Sequence, residues 1–167
     1  MRDADRMLET LYAELRQIAR NRVRARPGQS LQPTELVHAA YLRLRHQDWH
    51  SRTDFIRAGA HAMRLVLVDH IREKMAKKRG GDQQRVDITV TLPGHENPVP
   101  ADTLLALHTS LERMQTDHPE HVEVVMMRYF CGLTIQEVAA SLGIAEVTVE
   151  RRWRFARAWL KNDMSRQ

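Results

Sequence analysis

The chain has 167 residues, of which 43% are hydrophobic and 28% are charged, and a formal net charge of +5. No run of about 18 uncharged apolar residues occurs, and charge begins at Arg2, so the sequence predicts neither a membrane span nor a signal peptide. We therefore expect a cytoplasmic protein with one moderate core or two small ones. The single Cys131 cannot form an internal disulfide and is expected to be a buried structural thiol.

The charge is distributed unevenly along the chain. Residues 1–79 carry 17 Lys and Arg against 9 Asp and Glu, residues 80–150 carry 3 against 11, and residues 151–167 carry 6 against 1. Clustered cations favour polyphosphate partners through counterion release. The two basic ends are therefore candidates for two contacts with nucleic acid, and the acidic middle is expected to avoid DNA.

Two helices are predicted in the first 45 residues. Apolar residues recur at helical spacing over residues 4–24, and the Pro27-Gly28 pair ends that helix. A second helix is predicted over residues 34–45, with Pro33 suited to its first turn. Its outer face carries Glu35, His38, Arg43 and Arg45, and its core face carries Leu36, Val37, Ala40, Tyr41 and Leu44.

Residues 46–54 have no apolar period and predict a loop that ends in two candidate caps, Ser51 and Thr53. Trp49 lies in this polar loop. Its ring is suited to stacking on an unpaired base, a contact worth roughly 1–3 kcal/mol in single-strand binders. Folding back as a lid on the core is an equally good interpretation.

The longest helical pattern runs from Asp54 to about Lys78. Arg57, His61 and Arg64 recur at i, i+4 and i+7, so they predict a cationic stripe that could follow a phosphate backbone. An ordinary solvated charged face is the alternative. Further cations extend the stripe at Arg72, Lys74, Lys77, Lys78 and Arg79.

Residues 80–101 contain three prolines and three glycines, which predicts a linker. Val86, Ile88, Val90 and Leu92 alternate with polar residues, so the backbone is expected to be extended. Because no neighbouring strand is evident, we expect a tether and not a sheet.

The remaining residues predict four helices. Asp102 is a candidate N-cap of a helix that reaches about Gln115, and Asp117 with Glu120 forms a candidate capping box for the next helix. Thr134 and Glu137 form a second capping box, and Gly143 suits a tight turn. The last helix has a basic outer face. Together these last two helices predict a helix-turn-helix, whose second helix would enter a major groove.

Three segments closely resemble bacterial sigma factors of the extracytoplasmic-function (ECF) group. They are LVHAAYLRL, FIRAGAHAMRLVLVDHIREK and the long run HPEHVEVVMMRYFCGLTIQEVAASLGIAEVTVERRWRFARAWL, within which IAEVTVERRWRFARAWL resembles the promoter-reading end. The resemblance implies an all-α fold with two small helical domains. It places a polymerase-binding and −10-binding domain at residues 1–79, a linker at 80–101 and a −35-binding helix-turn-helix domain at 102–167.

The resemblance also implies partners and site residues. Core RNA polymerase and promoter DNA are the expected partners, an anti-sigma factor is a further partner that the resemblance allows, and no membrane is expected. Polymerase contacts are assigned to Glu35, His38, Tyr41 and Arg43. Contacts with the −10 element are assigned to Trp49, Arg57, His61, Arg64, Asp69 and Arg72. At the −35 element, the residues expected to face bases are Glu150, Arg151, Arg154 and Phe155. Arg152 and Arg157 are expected to contact phosphates, and Thr148 is a further expected DNA contact.

Other classes of function are predicted less well. No phosphate loop, nucleophile elbow or Cys-x-x-Cys pair is present, so the sequence does not predict an enzyme or a cofactor. His118 and His121 have the i, i+3 spacing of metal ligands but are expected to form a surface pair at a helix start, with no metal. A polymerase-independent helix-turn-helix regulator and a protein-interaction adaptor are the alternatives to a sigma factor.

Overall fold

A computed structural model gives the architecture of the chain. It describes residues 33–78 and 99–167, together with Glu9, Thr10, Tyr12, Ala13, Arg16, Thr89, Val90 and Asn97. Most of the helix predicted over residues 4–24 and most of the linker lie outside the described residues.

The described chain is almost entirely helical, which confirms the all-α prediction. In chain order its helices are α1 (Pro33–Leu44), α2 (Arg52–Lys78), α3 (Ala101–Asp117), α4 (Pro119–Val125), a π-helical turn (Met126–Phe130), α5 (Ile135–Leu142) and α6 (Glu146–Met164). In the described part of the chain, no helix has the length and apolar character needed to cross a membrane.

Ser51 is the residue that caps α2. The Asp54 backbone N–H donates to Ser51 Oγ at 3.1 Å, and the Ser51 hydroxyl donates to Asp54 Oδ2 at 2.8 Å. This reciprocal pair satisfies a free donor of the first turn. Thr53, the other candidate cap, donates its hydroxyl to the backbone carbonyl of Ser141 in α5.

The two caps predicted at Asp102 and Asp117 are wrong. Helix α3 begins at Ala101 directly after Pro100, and α4 begins at Pro119 after His118, both without a side-chain cap. Pro100 is the residue directly before α3 and Pro119 is the first residue of α4, and the fixed φ of proline suits both helix starts. Asp117 is instead the last residue of α3.

The linker contains a short pairing that the sequence did not predict. Two antiparallel strands, β1 (Thr89–Val90) and β2 (Val99–Pro100), pair Thr89 with Pro100 and Val90 with Val99. The expectation of an unpaired tether is therefore wrong at these four residues. An extended backbone leaves N–H and C=O groups free, and here they pair where the chain returns on itself.

The turn between α4 and α5 is wider than an α-helix. Cys131 donates its backbone N–H to the Met126 carbonyl at 3.3 Å, five residues back, and Gly132 follows with φ of 67°. This π turn allows Met126, Met127, Phe130 and Cys131 all to be buried. Burial raises the pKa of the Cys131 thiol to about 12, which confirms the interpretation of a buried structural thiol.

One apolar cluster joins the N-terminal and C-terminal helices. Phe55, Met63 and Ile71 of α2 and Leu111 and Met127 of the later helices are all at most 1% exposed and belong to the same cluster. Helix α2 packs on α1, on α3 and on the π turn. The face of α2 that is turned away from α1 is therefore covered by the second half of the chain.

Candidate nucleic-acid interface

A capping box fixes the start of α5, as the sequence predicted. Glu137 donates its backbone N–H to Thr134 Oγ1 at 3.1 Å, and the Thr134 N–H donates to Glu137 Oε2 at 2.6 Å. Val138 and Ala139 are buried on the core side of the helix. Helix α5 is therefore held as the short first helix of a helix-turn-helix.

Gly143 makes the turn between α5 and α6. Its φ is 65° and its ψ is 35°, and the following Ile144 N–H donates to the Ala139 carbonyl at 3.1 Å. This left-handed conformation satisfies a carbonyl at the helix end and lets α6 leave at a new angle. The predicted helix-turn-helix is confirmed in its secondary structure.

Substitution Gly143→Ala is expected to destabilise the protein by about 1 kcal/mol, because a Cβ disfavours the left-handed region. No atom lies within 4 Å of that Cβ, so the penalty comes from the backbone and not from a clash. Urea unfolding measures the change. Gly143→Asn is the matched control, since asparagine tolerates this conformation. Equal stability of the alanine variant and the parent would contradict the assignment.

Helix α6 presents one face to solvent. At about 100° per residue, Glu150, Arg151, Arg154 and Phe155 lie opposite the buried Val149, Ala156 and Leu160. All four are exposed, and Phe155 remains 41% exposed although it is large and apolar. We define these four residues as the reading face of α6. The residues predicted to face bases are thus together on one surface.

Three further predicted DNA residues lie beside the reading face. Thr148 and Arg152 are half-buried at one edge, and Arg157 is exposed at the other. The Arg157 guanidinium lies 5.9 Å from the Trp153 ring centre, in a cation–π contact that limits its freedom. The two arginines predicted to contact phosphates thus lie at opposite edges of the reading face.

Two histidines support the aromatic residue of the reading face. The Phe155 ring centre lies 4.9 Å from that of His118 and 4.6 Å from that of His121. Burial lowers the pKa of His121, and His118, Arg152 and Arg151 lower it further, while Glu120 opposes them. The predicted surface pair thus has a packing role. Among the described residues no three His, Cys, Asp or Glu side chains form a metal site.

A groove beside the reading face was not predicted from the sequence. Its volume is about 1240 Å³, its floor includes Leu107, Val125 and Trp153, and Arg154 and Arg157 stand at its rim. Its lining comes from α3, α4, the π turn, α5 and α6, so no single sequence pattern could indicate it. An apolar floor with a basic rim is suited to an acidic amphipathic segment.

The predicted stripe on α2 does not face solvent as a whole. Arg57 forms an ion pair with Glu123 of α4, and Arg64 Nη2 donates to Glu112 Oε1 of α3 at 2.7 Å. The Arg64 side chain is only 4% exposed. The expectation of a continuous solvent-facing stripe is therefore wrong at Arg64, because α3 covers this part of α2.

The two remaining charged residues assigned to the −10 element lie further along α2. Asp69 accepts from Arg43 of α1 at 2.7 Å, and both side chains are about half exposed. Arg72 is exposed one turn later. The ion pair joins a residue predicted to contact polymerase to one predicted to contact DNA, so the two predicted surfaces adjoin.

Trp49 folds onto the core. Its ring is half-buried and lies edge-on to Phe55, with 5.6 Å between ring centres. Its indole N–H is buried and has no hydrogen-bond partner in the described part of the chain. The structure therefore agrees with the interpretation in which Trp49 folds back as a lid on the core. Stacking on a base remains a prediction that requires the ring to swing out.

The outer face of α1 is accessible. Glu35, His38 and Arg43 are exposed and Tyr41 is half-buried. Tyr12 packs on this face, with its hydroxyl 3.2 Å from His38 Nδ1 and its ring centre 4.7 Å from that of Tyr41. The four residues predicted to contact polymerase therefore share one surface with Tyr12.

Two histidines make the contact between α2 and α3 sensitive to pH. Burial, and then Arg64, lower the pKa of His61 at the edge of the contact and of His108 on α3. Glu112 raises the pKa of both histidines, and Arg72 and His61 lower the pKa of His108 further. A lowered pKa means that packing favours the neutral ring. The contribution of the two rings to the free energy of unfolding is therefore fully present above the ordinary histidine pKa of 6.5, and it is lost as the pH falls below that value.

We therefore expect the free energy of unfolding to fall between about pH 7.5 and about pH 5.5, the range in which histidines gain charge. Urea unfolding at both values measures this. The double variant His61→Gln with His108→Gln should show a smaller fall. An identical fall in the variant would assign the effect to other groups, of which His70 and His121 also have lowered pKa values.

A helix-turn-helix with an exposed basic face on its second helix is typical of DNA-binding proteins that insert a helix into the major groove. The family model described as "ECF sigma factor" matches residues 1–166. The chain therefore belongs to the ECF sigma factor family, whose members act in transcription initiation with core RNA polymerase and promoter DNA. No curated protein and no solved structure matches the chain closely enough for comparison.

Proposed function

We propose that the protein is a dissociable promoter-specificity subunit that binds core RNA polymerase, recognises the −35 and −10 elements and melts the promoter. The reading face of α6 is the observation that carries this proposal. Residues 1–79 act as the polymerase-binding and −10-binding domain, residues 80–101 as the linker and residues 102–167 as the −35-binding domain. The protein works in the cytoplasm, where polymerase and chromosome meet.

Contacts with the −35 element follow from the chemistry of the reading face. Arg151 and Arg154 can each donate two hydrogen bonds to the O6 and N7 atoms of guanine. Glu150 can accept from a cytosine amino group or exclude a phosphate. Phe155, held by two histidines, offers an apolar contact to a thymine methyl group. Arg152 and Arg157 at the edges contact phosphates.

Contacts with the −10 element come from the loop before α2 and from α2 itself. Arg57, His61 and Arg72 follow the phosphate backbone of the opened strand, and Asp69 orients Arg43 beside them. Trp49 leaves Phe55 and stacks on an unpaired base. The enzyme docks on α1 through Glu35, His38, Tyr41 and Arg43. The chemistry is binding and strand separation, with no covalent step.

Association with purified core polymerase, followed by transcript mapping, tests the proposal. We expect the chain to co-purify with the core enzyme and to direct initiation at a defined set of start sites. A core enzyme that neither binds the chain nor changes its start sites would refute the proposal. A gel shift with and without core enzyme distinguishes the alternative, since a polymerase-independent regulator would bind duplex promoter DNA alone.

A further inference from the structure

Carboxylates of α3 and α4 lie directly on the cations of α2. Glu112 accepts from Arg64, and Glu123 pairs with Arg57. Arg64 is buried, and its Nε and Nη1 groups have no hydrogen-bond partner in the described part of the chain. A single carboxylate therefore meets a guanidinium that can donate five hydrogen bonds. This environment satisfies Arg64 only in part.

The basic residues 1–79 and the acidic middle of the chain, residues 80–150, carry opposite net charges, whereas residues 151–167 carry +5, counted as 6 minus 1. Residues 1–79 carry a net charge of +8 and residues 80–150 a net charge of −8, counted as 17 minus 9 and 3 minus 11. Guanidinium groups bind carboxylates and phosphates with the same donor geometry. Glu112 and Glu123 thus present to Arg64 and Arg57 the same kind of acceptor that a phosphate offers.

The contact between the halves is not closed throughout. A cleft of about 490 Å³ opens within it, with Arg57 and His61 on one side and Gln115, Glu120 and Glu123 on the other. The Arg57 side chain is 43% exposed, so its ion pair is a weak surface contact. Besides the shared apolar cluster, the contact includes two ion pairs and the hydrogen bond from Thr53 to Ser141.

We propose that the carboxylate surface of α3 and α4 acts as a phosphate mimic that covers α2 in the free protein. Nucleic acid then reaches Arg57 and Arg64 only when the two halves separate. This inference rests on the proposed function in one respect, that α2 is the helix that contacts DNA. Its consequence is that the chain restrains its own DNA binding until the carboxylates leave α2.

Binding of a short, fluorescein-labelled single-stranded DNA of mixed sequence to the full-length chain tests the inference. In the double variant Glu112→Gln with Glu123→Gln, both side chains keep their size and an acceptor but lose the charge that competes with phosphate. We expect the affinity for the probe to rise by about tenfold, which corresponds to 1.4 kcal/mol. Addition of Arg57→Ala to this variant should remove most of the gain, because the gain arises on α2.

The matched control is the double variant Asp102→Asn with Asp117→Asn. Both carboxylates are exposed on α3. Their replacement changes the net charge by the same amount as the replacement of Glu112 and Glu123. An equal gain in the control would mean that total charge alone sets the affinity, and the inference would fail. It would fail equally if the glutamine variant bound the probe no better than the parent.

A second measurement does not depend on the stability of the glutamine variant. Cysteines at Arg57 and Glu123 can be joined by a bifunctional maleimide of the length of the replaced side chains. Cys131 stays unmodified because it is buried and the pKa of its thiol is about 12. We expect the crosslinked chain to bind the probe at least about tenfold more weakly than the same variant before crosslinking. Equal binding by both forms would overturn the inference.

The two proposals fail in different ways. If the parent chain directs promoter-specific initiation but the glutamine variant gains no affinity, the phosphate mimic is wrong and the promoter-specificity function stands. If the glutamine variant gains affinity but the parent chain never associates with core polymerase, the proposed promoter-specificity function is wrong. The phosphate mimicry by Glu112 and Glu123 would then still hold as a property of the free chain.

Discussion

Replacement of Arg151 and Arg154 together by alanine is expected to reduce transcription from the cognate promoter by at least about thirtyfold. Each bidentate contact to a guanine contributes roughly 1–3 kcal/mol of discrimination. Two such contacts, at 1.4 kcal/mol per factor of ten, correspond to a range from about thirtyfold to about twenty-thousandfold. Both side chains are exposed on the reading face, so the free energy of unfolding should change by less than about 0.5 kcal/mol.

Separate assays distinguish promoter reading from polymerase binding. Single-round transcription measures the first, and co-purification with core enzyme measures the second, which should be unchanged. Arg166→Ala is the charge control, since this exposed arginine lies beyond the end of α6. If the double variant transcribed as well as the parent, the reading face would not read the −35 element.

Local patterns predicted the two helices of the helix-turn-helix and the common exposed side of Glu150, Arg151, Arg154 and Phe155. The Thr134 and Glu137 capping box, the left-handed Gly143 and the periodic apolar residues of α6 each depend on neighbours within about one helical turn. Such interactions are encoded in adjacent residues. The predicted α1, Thr34 to Arg45, likewise differs from the observed Pro33–Leu44 by only one residue at each end.

Features that depend on distant residues were missed. The partner of Arg64 is Glu112, which is 48 residues away in the chain. For Trp49 the sequence left two interpretations open, and its packing on Phe55 agrees with the lid. Helical periodicity places Arg57, His61 and Arg64 near one another but does not say which helix will cover them. The groove beside α6 depends in the same way on segments from Leu107 to Met164. Only the packed chain defines these sites.

Substitution Phe55→Ala is expected to destabilise the protein by about 3–5 kcal/mol, a large part of the 5–15 kcal/mol typical of a folded domain. Phe55 is fully buried near the start of α2 and supports the ring of Trp49. Its loss leaves a cavity and frees the lid of the core. Urea unfolding, followed by circular dichroism, measures the change.

Phe155→Ala is the matched control, because the same atoms are removed from a side chain that is 41% exposed. We expect this variant to lose less than about 1 kcal/mol of stability, since only its contacts with His118 and His121 disappear. Promoter-specific transcription should nevertheless fall, because Phe155 belongs to the reading face. Comparable destabilisation by both substitutions would mean that Phe155 serves the core. In that case α6 would read DNA through its charged residues alone.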